Sequence, residues 1–364
     1  MSLRDAREEA PRAVTMSDVA RIAGVSLKTV SNVINDYPHV RPTTRARVTE
    51  AIEELGYRVN ATARNLRRGR TGLVGLAIPD LGESYFGELA NAVVDVADGM
   101  GLSVLIEPTR ADAASELEVL TNDRRSMTDG LLFSPLLLEA TDLRRAVAAS
   151  PFPIVLLGER VFGVGIDHAV MANIEGTRAA TAYLIERGAR RIVAAGAPPV
   201  REPDPRLVDV AEDGLTRELT TSSEALRLEG YRRALADAGL PFDPDLLLPT
   251  GPWRRSTGAA ALSDALDADL DFDGVVGFND AVALGALHTL QIRGVDVPGR
   301  VQVIGFDDLD EAAYATPALT TVAPGRVEIA KTALDLLALR LEGSTEPASL
   351  RVLPFHISAR DTTR

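Results

Sequence analysis

Short apolar runs rich in β-branched residues recur along most of the chain, and stretches with helical patterns separate them. Near-continuous apolar strands that alternate with helices are typical of parallel sheets covered by helices on both faces. The runs are "GLVGLAIP", "LSVLIEP", "DGLLFSP", "PIVLLG", "RIVAAG", "DLLLP", "DGVVGFND" and "VQVIGFDD". About eight strands are too many for one compact unit, and they form two similar groups that meet at residues 170–176. We therefore predict an α/β body of two doubly wound parallel-sheet lobes.

The composition is that of an ordinary globular protein, with 364 residues, 46% hydrophobic and 25% charged. The chain has no cysteine, which excludes disulfides and thiolate metal sites and is typical of a reducing compartment. The four histidines are scattered singly, so we expect no metal site and no cofactor. No signal-peptide core opens the chain and no run has the roughly 18 apolar residues of a membrane helix. We expect a cytoplasmic protein with no membrane partner.

The net charge of -13 is distributed very unevenly along the chain. Residues 13–70 carry ten basic and five acidic side chains, whereas residues 1–12 are balanced and the remainder of the chain carries -18. A small basic module joined to a large acidic body is consistent with one part of the protein binding nucleic acid.

The stretch "VARIAGVSLKTVSNVIN" predicts two short helices separated by a tight turn. Thr15 and Ser26 are suitable N-caps for these helices, and Gly24 suits the turn between them. A third helix is predicted from Pro42 to Gly56, with apolar residues along one face. Three such helices make a minimal core of the helix-turn-helix type.

The second predicted helix exposes Leu27, Lys28 and Asn32 in the amino-terminal half that a recognition helix presents to base edges. Lys28 suits guanine acceptors and Asn32 suits adenine. The hydroxyl groups that could bond phosphates belong to Thr15, Thr29 and Ser31. A helical hairpin that merely packs is the alternative interpretation. The following stretch "RVNATARNLRRGRTG" favours the DNA-binding interpretation. It predicts a helix of barely two turns, which should become ordered only when DNA and a partner chain hold it.

The stretches "VTMSDVARIAGVSLKTVSNVIN", "TRARVTEAIEELGY" and "NATARNLRRG" resemble, in order and spacing, the headpiece of the lactose-repressor (LacI/GalR) family of transcription regulators. The resemblance implies that Leu27, Lys28 and Asn32 read bases. It also implies that Leu66 wedges into the minor groove and bends the operator. The other positions that it places at DNA are Thr15, Thr29, Ser31, Asn35, His39, Asn60 and Ala63. Val59 departs from the proline usual in the family.

Ligands of doubly wound sheets bind beyond the carboxyl ends of the strands. The groups at those positions are "PDLGESYF" (residues 79–86), Ser134, Glu159, Arg160, Asn279, Asp280, Asp307 and Asp308, with Arg227 and Trp253 nearby. Each has a structural alternative, since Asn279 or Asp280 could only cap a helix, and Tyr85, Phe86 and Trp253 could belong to the core.

The same family resemblance extends over residues 14–360 and implies a periplasmic-binding-protein-like effector domain. It places aromatic residues where effectors stack, an arginine where effector oxygens are gripped, and polar side chains where sugar hydroxyls bind. The effector-binding positions are Tyr85, Phe86, Ser134, Arg227, Trp253, Asn279 and Asp307. The expected effector is a sugar or sugar derivative. Residues 198–223 exceed the family norm, and we predict a solvated loop there in preference to a lid.

The predicted divisions are a disordered extension over residues 1–13, the headpiece over 14–59, a hinge helix and linker over 60–71, and the effector domain over 72–364. Within the effector domain, lobe 1 is predicted over residues 72–170 and 326–352, and lobe 2 over residues 171–325 and 353–362.

The function expected from the sequence is that of a dimeric repressor whose affinity for a near-palindromic operator depends on the effector. A tetramer is not expected, because no leucine heptad tail follows the body. The alternatives are a solute-binding receptor without a DNA role, a regulator that responds to nucleosides or purines, and an α/β enzyme. No catalytic residue is predicted, because the chain lacks G-x-G-x-x-G after a strand, G-x-x-x-x-G-K-[ST] and G-x-S-x-G.

Overall fold

The computed structural model describes residues 14–34, 37–57, 70–122, 127–199 and 219–364. The chain forms two compact units, Met1–Thr71 and Gly72–Arg364. The predicted extension over residues 1–13, most of the predicted hinge segment and the middle of the predicted long loop lie outside the described residues.

The first unit contains the three helices predicted from the sequence, which are α1 (Met16–Ala23), α2 (Leu27–Ile34) and α3 (Pro42–Glu54). Thr15 caps α1, because its Oγ1 accepts from the backbone N–H of Asp18 at 3.4 Å and the Asp18 carboxylate accepts from the backbone N–H of Thr15 at 3.0 Å. Ser26 Oγ likewise accepts from the N–H of Thr29 at 3.1 Å. Gly24 joins the two helices with a φ of 61°, a left-handed conformation that glycine adopts without steric cost.

The core of the first unit contains one fully buried valine from each helix, Val19, Val30 and Val48. Each such side chain contributes about 1.5–3 kcal/mol of hydrophobic stabilisation, which fixes the face that each helix turns outward. Val25 and Ile34 pack against this core but are only partly buried.

The second unit alternates strands and helices. In chain order its strands are β1 (Leu73–Ile78), β2 (Ser103–Pro108), β3 (Gly130–Phe133), β4 (Ile154–Leu157), β5 (Val161–Phe162), β6 (Asp167–Met171), β7 (Ile192–Ala195), β8 (Leu219–Thr220), β9 (Leu247–Leu248), β10 (Gly274–Gly277), β11 (Gln302–Phe306), β12 (Thr320–Ala323), β13 (Leu350–Leu353) and β14 (His356–Ser358). Its helices are α4 (Ser84–Gly99), α5 (Ala113–Thr121), α6 (Ala140–Ala149), α7 (Asn173–Glu186), α8 (Ser223–Asp237), α9 (Arg255–Asp267), α10 (Asp280–Ile292), α11 (Asp310–Tyr314) and α12 (Arg326–Leu341), with a short 3₁₀ helix over Pro244–Leu246.

These strands form two six-stranded sheets and one two-stranded ribbon. The first sheet, here lobe 1, has the order β13-β6-β4-β3-β1-β2 and is parallel throughout. The second sheet, here lobe 2, has the order β14-β12-β11-β10-β7-β9 and is parallel except for β14. The α/β class and the two parallel-sheet lobes are confirmed. The chain passes between the lobes after β6, after β12 and after β13.

All eight apolar runs form strands, and the described residues contain six further strands that the sequence did not indicate. One of them corrects the end of the loop predicted over residues 198–223, because Leu219–Thr220 form β8 and pair antiparallel with β5. Leu219 is buried against Phe162 of β5, so tertiary contact decides the conformation there. No helix of the described part of the chain is both long and apolar enough to cross a membrane.

Candidate functional site

The outer face of α2 carries the side chains predicted to read bases. Leu27 is 43% exposed and Lys28 is exposed, whereas Asn32 is half-buried. Burial of Val30 and Val33 on the opposite side of the helix produces this arrangement. The amino-terminal half of α2 therefore presents an apolar group and a cation together, which suits contact with base edges.

The predicted phosphate-contacting side chains are placed at the caps and surface of the same unit. The Thr15 hydroxyl donates to the Asp18 carboxylate at 2.7 Å, and the hydroxyl oxygens of Thr29 and Ser26 are 2.9 Å apart. Ser31 is half-buried and His39 is exposed. The other predicted DNA contacts, Asn35, Asn60, Ala63 and Leu66, lie outside the described residues, and their roles stay predictions.

The second unit contains a cavity of about 520 Å³ beyond the carboxyl ends of strands from both lobes. All seven residues predicted from the sequence to contact an effector line this cavity, here called the cleft. Lobe 1 contributes Tyr85, Phe86 and Ser134, which follow β1 and β3, and lobe 2 contributes residues that follow β10 and β11. The cleft has the size of known small-molecule sites, and its position is the one that parallel sheets favour for ligands.

Arg227 lies on α8 at the wall of the cleft and is 2% exposed. Its Nε donates to Asn173 Oδ1 at 2.6 Å, and its Nη1 donates to the carbonyl oxygen of Phe278. Its Nη2 lies 3.5 Å from Asp307 Oδ1, and the guanidinium carbon lies 3.7 Å from the ring centroid of Phe306. Each nitrogen of the group thus has a protein acceptor, so Arg227 holds the two lobe 2 strand ends and α8 together.

Asp307 follows β11 and is buried, with a φ of 119° that side chains rarely adopt. Burial raises its pKa to about 7, although Arg227 and Arg326 oppose the increase. Asp280 lies behind it, where its carboxylate accepts from the Thr321 hydroxyl at 2.5 Å and from the Leu309 N–H at 2.8 Å. Burial and the charge of Asp307 raise the pKa of Asp280 well above its usual value. Asp280 therefore fixes the strained turn that presents Asp307 to the cleft.

Glu159 is a second buried carboxylate at the cleft, two residues after the end of β4. It accepts from the Ser223 hydroxyl at 2.9 Å and from the Met171 N–H at 3.3 Å. Burial raises the pKa of Glu159, and the charge of Arg227 partly offsets this effect.

Aromatic side chains form two walls of the cleft. Tyr85 and Phe86 meet edge to face with ring centroids 5.3 Å apart, and Trp253 meets Phe278 in the same way at 6.3 Å. Trp253 Nε1 donates to the carbonyl oxygen of Gly196 at 2.9 Å, which fixes the ring. Burial raises the pKa of Tyr85 well above its usual value, and the charges of Glu159 and Asp307 add to this. The half-buried rings of Tyr85, Phe86 and Trp253 line the cleft and suit stacking against a ligand.

Asn279 is both a helix cap and a cleft residue, two roles that the sequence alone leaves as alternatives. Its Oδ1 accepts from the Val282 N–H at 2.8 Å and caps α10, and the residue also lines the cleft. The sequence did not assign Ser222, Ser223 or Glu224 to the site, although all three line the cleft. They follow β8, and only the pairing of β8 with β5 brings them there.

Polar contacts join the two lobes beside the cleft. Glu88 of α4 accepts from the Asp310 N–H of lobe 2 at 3.2 Å. It also pairs at 2.6 Å with Nη2 of Arg326, the first residue of α12, whose Nη1 donates to the carbonyl oxygens of Asp307 and Asp308 in lobe 2. Ser84 of the same helix lies 3.4 Å from the Glu311 carboxylate, which pairs with Arg255. These contacts stabilise the arrangement in which α4 of lobe 1 meets α11 of lobe 2.

A helix-turn-helix unit and a two-lobed α/β unit with a solute-sized cleft define a ligand-responsive DNA-binding protein. Comparison with protein families matches residues 15–60 to bacterial regulatory proteins of the lacI family and residues 181–363 to the periplasmic binding protein-like domain. The HTH-type transcriptional regulator GalR of Salmonella typhimurium is 34% identical over 331 residues, which cover 90% of each chain. The chain belongs to the lacI family and is a DNA-binding transcriptional regulator.

Two solved structures show the same architecture. The lac repressor dimer bound to operator and the anti-inducer ONPF has a TM-score of 0.76 and 25% identity, covering 97% of this chain and 99% of its own. The complex of the transcriptional regulator CelR with cellobiose has a TM-score of 0.67 and 29% identity, covering 96% of this chain and 99% of its own.

Proposed function

We propose that the protein is a dimeric transcriptional repressor that acts in the cytoplasm by binding alone, without catalysis. In this proposal paired headpieces of residues 14–59 bind a near-palindromic operator, with Leu27, Lys28 and Asn32 at the bases. A carbohydrate in the cleft sets the affinity for the operator. The observation that carries the proposal is the convergence of aromatic, amide and carboxylate groups from both lobes on one cleft. The solved relatives bound to operator and to cellobiose support it.

The mechanism rests on unequal binding of the effector by two arrangements of the lobes. A ligand that touches Tyr85 of lobe 1 and Asp307 of lobe 2 binds most tightly when the lobes are closed around it. The contacts of Glu88 favour the same closed arrangement. Closure of each body changes the spacing of the paired headpieces, and linkage requires DNA to change effector affinity by the same factor.

The DNA part is tested by fluorescence anisotropy with fragments of the protein's own promoter region and with unrelated fragments. Lys28→Ala is expected to weaken operator binding by about 1–3 kcal/mol and to reduce discrimination between the two DNAs. Lys331→Ala, which removes an exposed lysine of α12, is the control and should leave both affinities unchanged. Equal affinity of the wild-type protein for all fragments would contradict the proposal.

The effector part is tested by a thermal-shift screen of sugars, sugar derivatives and nucleosides, because a ligand of the folded state raises the melting temperature. We expect a sugar to stabilise the second unit and to change operator affinity. Stabilisation by a nucleoside alone would replace the carbohydrate assignment with a nucleoside-responsive regulator, for which the aromatic walls of Tyr85, Phe86 and Trp253 provide stacking surfaces.

A further inference from the structure

We propose that the cleft selects uncharged, hydroxyl-rich effectors and rejects phosphorylated or carboxylated ones, because its cations are already committed to protein acceptors. This inference rests on the proposed function and specifies the chemical class of its effector. Six charged residues line the cleft, with two guanidinium groups against four carboxylates: Arg160, Arg227, Glu83, Glu159, Glu224 and Asp307.

Arg227 is the first of the two cations, and its donors point at the protein. Its Nε donates to Asn173 and its Nη1 donates to the Phe278 carbonyl oxygen. Its Nη2 faces Asp307 at ion-pair distance. The Met171 sulfur also lies 3.6 Å from Nη2. An anionic effector would compete with these buried partners for the same guanidinium, and any partner that it displaced and left unsatisfied would cost about 1–3 kcal/mol.

Arg160 is the second cation, and it is equally engaged. Its Nη2 pairs with the Glu139 carboxylate at 2.6 Å. Its Nε donates to the Leu138 carbonyl oxygen at 3.3 Å and its Nη1 donates to the Thr221 carbonyl oxygen at 3.2 Å. Arg160 thereby holds the segment after β3 and the segment after β8 together at the cleft. It offers no bidentate site for a phosphate or carboxylate.

The carboxylates of the cleft disfavour the binding of a further negative charge. Glu159 and Asp307 are both buried, and the raised pKa of each reflects the cost of holding negative charge at this place. A phosphate would add like charge close to them where the screening by water is weak. A neutral sugar hydroxyl donates to the same oxygens in a charge-assisted hydrogen bond and requires no charge desolvation.

The test compares matched pairs by calorimetric titration of the full-length protein. The pairs are glucose with glucose 6-phosphate, glucose with glucuronate, and cellobiose with cellobionate. We expect each neutral sugar that binds to do so at least about tenfold more tightly than its anionic partner. An anionic member that binds as tightly as its neutral parent would overturn the inference, although the carbohydrate assignment would survive.

Titration with inorganic phosphate tests the exclusion of anions without any sugar. We expect no one-to-one phosphate binding by the wild-type protein with a dissociation constant below about 1 mM, and such binding would overturn the inference even if no sugar binds. Absence of binding by every sugar, neutral or anionic, together with binding of a nucleoside would instead contradict the carbohydrate assignment.

A conservative variant of Glu159 tests whether carboxylate charge causes the preference for neutral ligands. Glu159→Gln removes one carboxylate charge and should narrow the preference for the neutral member of a pair. Glu186→Gln, at a side chain that is 74% exposed on α7, is the matched control and should leave the preference unchanged. An equal preference in wild type and Glu159→Gln would show that the carboxylate does not exclude anions.

Discussion

Replacement of Arg227 by alanine tests the buried polar network of the cleft. The change leaves Asp307 without its buried ion-pair partner and removes the donors to Asn173 and to the Phe278 carbonyl oxygen. Removal of one member of a buried pair costs about 3–5 kcal/mol. We therefore expect Arg227→Ala to lower the free energy of unfolding of the second unit by about that amount. The loss should be smaller at pH 6 than at pH 8, because Asp307, whose pKa beside Arg227 is about 7, is largely protonated at pH 6 and then has little charge for Arg227 to pair with.

The assay is urea denaturation followed by the fluorescence of Trp253, which is the only tryptophan and lies in the second unit. Arg145→Ala is the control, since this side chain is 80% exposed and its ion pair with Asp142 spans 3.5 Å. An exposed pair of that kind contributes about 0–1 kcal/mol. Arg227→Lys should recover only part of the loss, because one ammonium group cannot reproduce the planar fork. A loss from Arg227→Ala no larger than that from Arg145→Ala would refute the network.

Three further outcomes follow from other parts of the second unit. The stability that Asp307 contributes should fall as pH rises from about 4 through about 7, because its raised pKa means that the folded state binds this proton more tightly than the unfolded state. The urea midpoint of the wild type should therefore fall relative to that of Asp307→Asn across this range, whereas the lowered pKa of His168 affects both proteins equally. Gly285→Ala should lower the melting temperature, since its Cβ would overlap a carbonyl oxygen of α9, whereas Gly99→Ala meets no atom within 4 Å and should not. Glu88→Ala should weaken effector binding about tenfold in calorimetry, because it removes contacts that favour the closed arrangement of the lobes. Asp95→Ala, at an exposed position of the same helix, is the control and should leave effector binding unchanged. Equal effects of the two variants would show that Glu88 does not favour the closed arrangement.

The fold could be predicted wherever a strand is an uninterrupted apolar run. β6 was missed because it begins with Asp167 and His168, two polar residues that the sequence does not mark as buried. Asp167 pairs with Arg340 at 2.5 Å, and His168 bonds the Gly158 carbonyl oxygen. Burial lowers the pKa of His168 to about 4, so the ring is neutral in the core. Long-range partners make these residues compatible with a buried strand, and a local pattern cannot reveal such partners.

The cleft was predictable to the extent that strand ends define it. Ser134 and Asp307 directly follow strands and Asn279 lies two residues after one, and the rule for parallel sheets places such residues at one edge. The commitment of Arg227 to the carbonyl oxygen of Phe278 depends on the contact of α8 with the end of β10. Residue type alone suggests an arginine free for a ligand, and only the three-dimensional arrangement shows that each of its nitrogens already faces a protein acceptor.

The central claim is that occupation of the cleft and binding of the operator are energetically coupled. The direct test measures operator affinity with and without the stabilising sugar, and sugar affinity with and without operator. Energetic coupling predicts that the sugar changes operator affinity by the same factor by which the operator changes sugar affinity, a factor of about 5 to 150. A sugar that binds the cleft while operator affinity stays the same would contradict it.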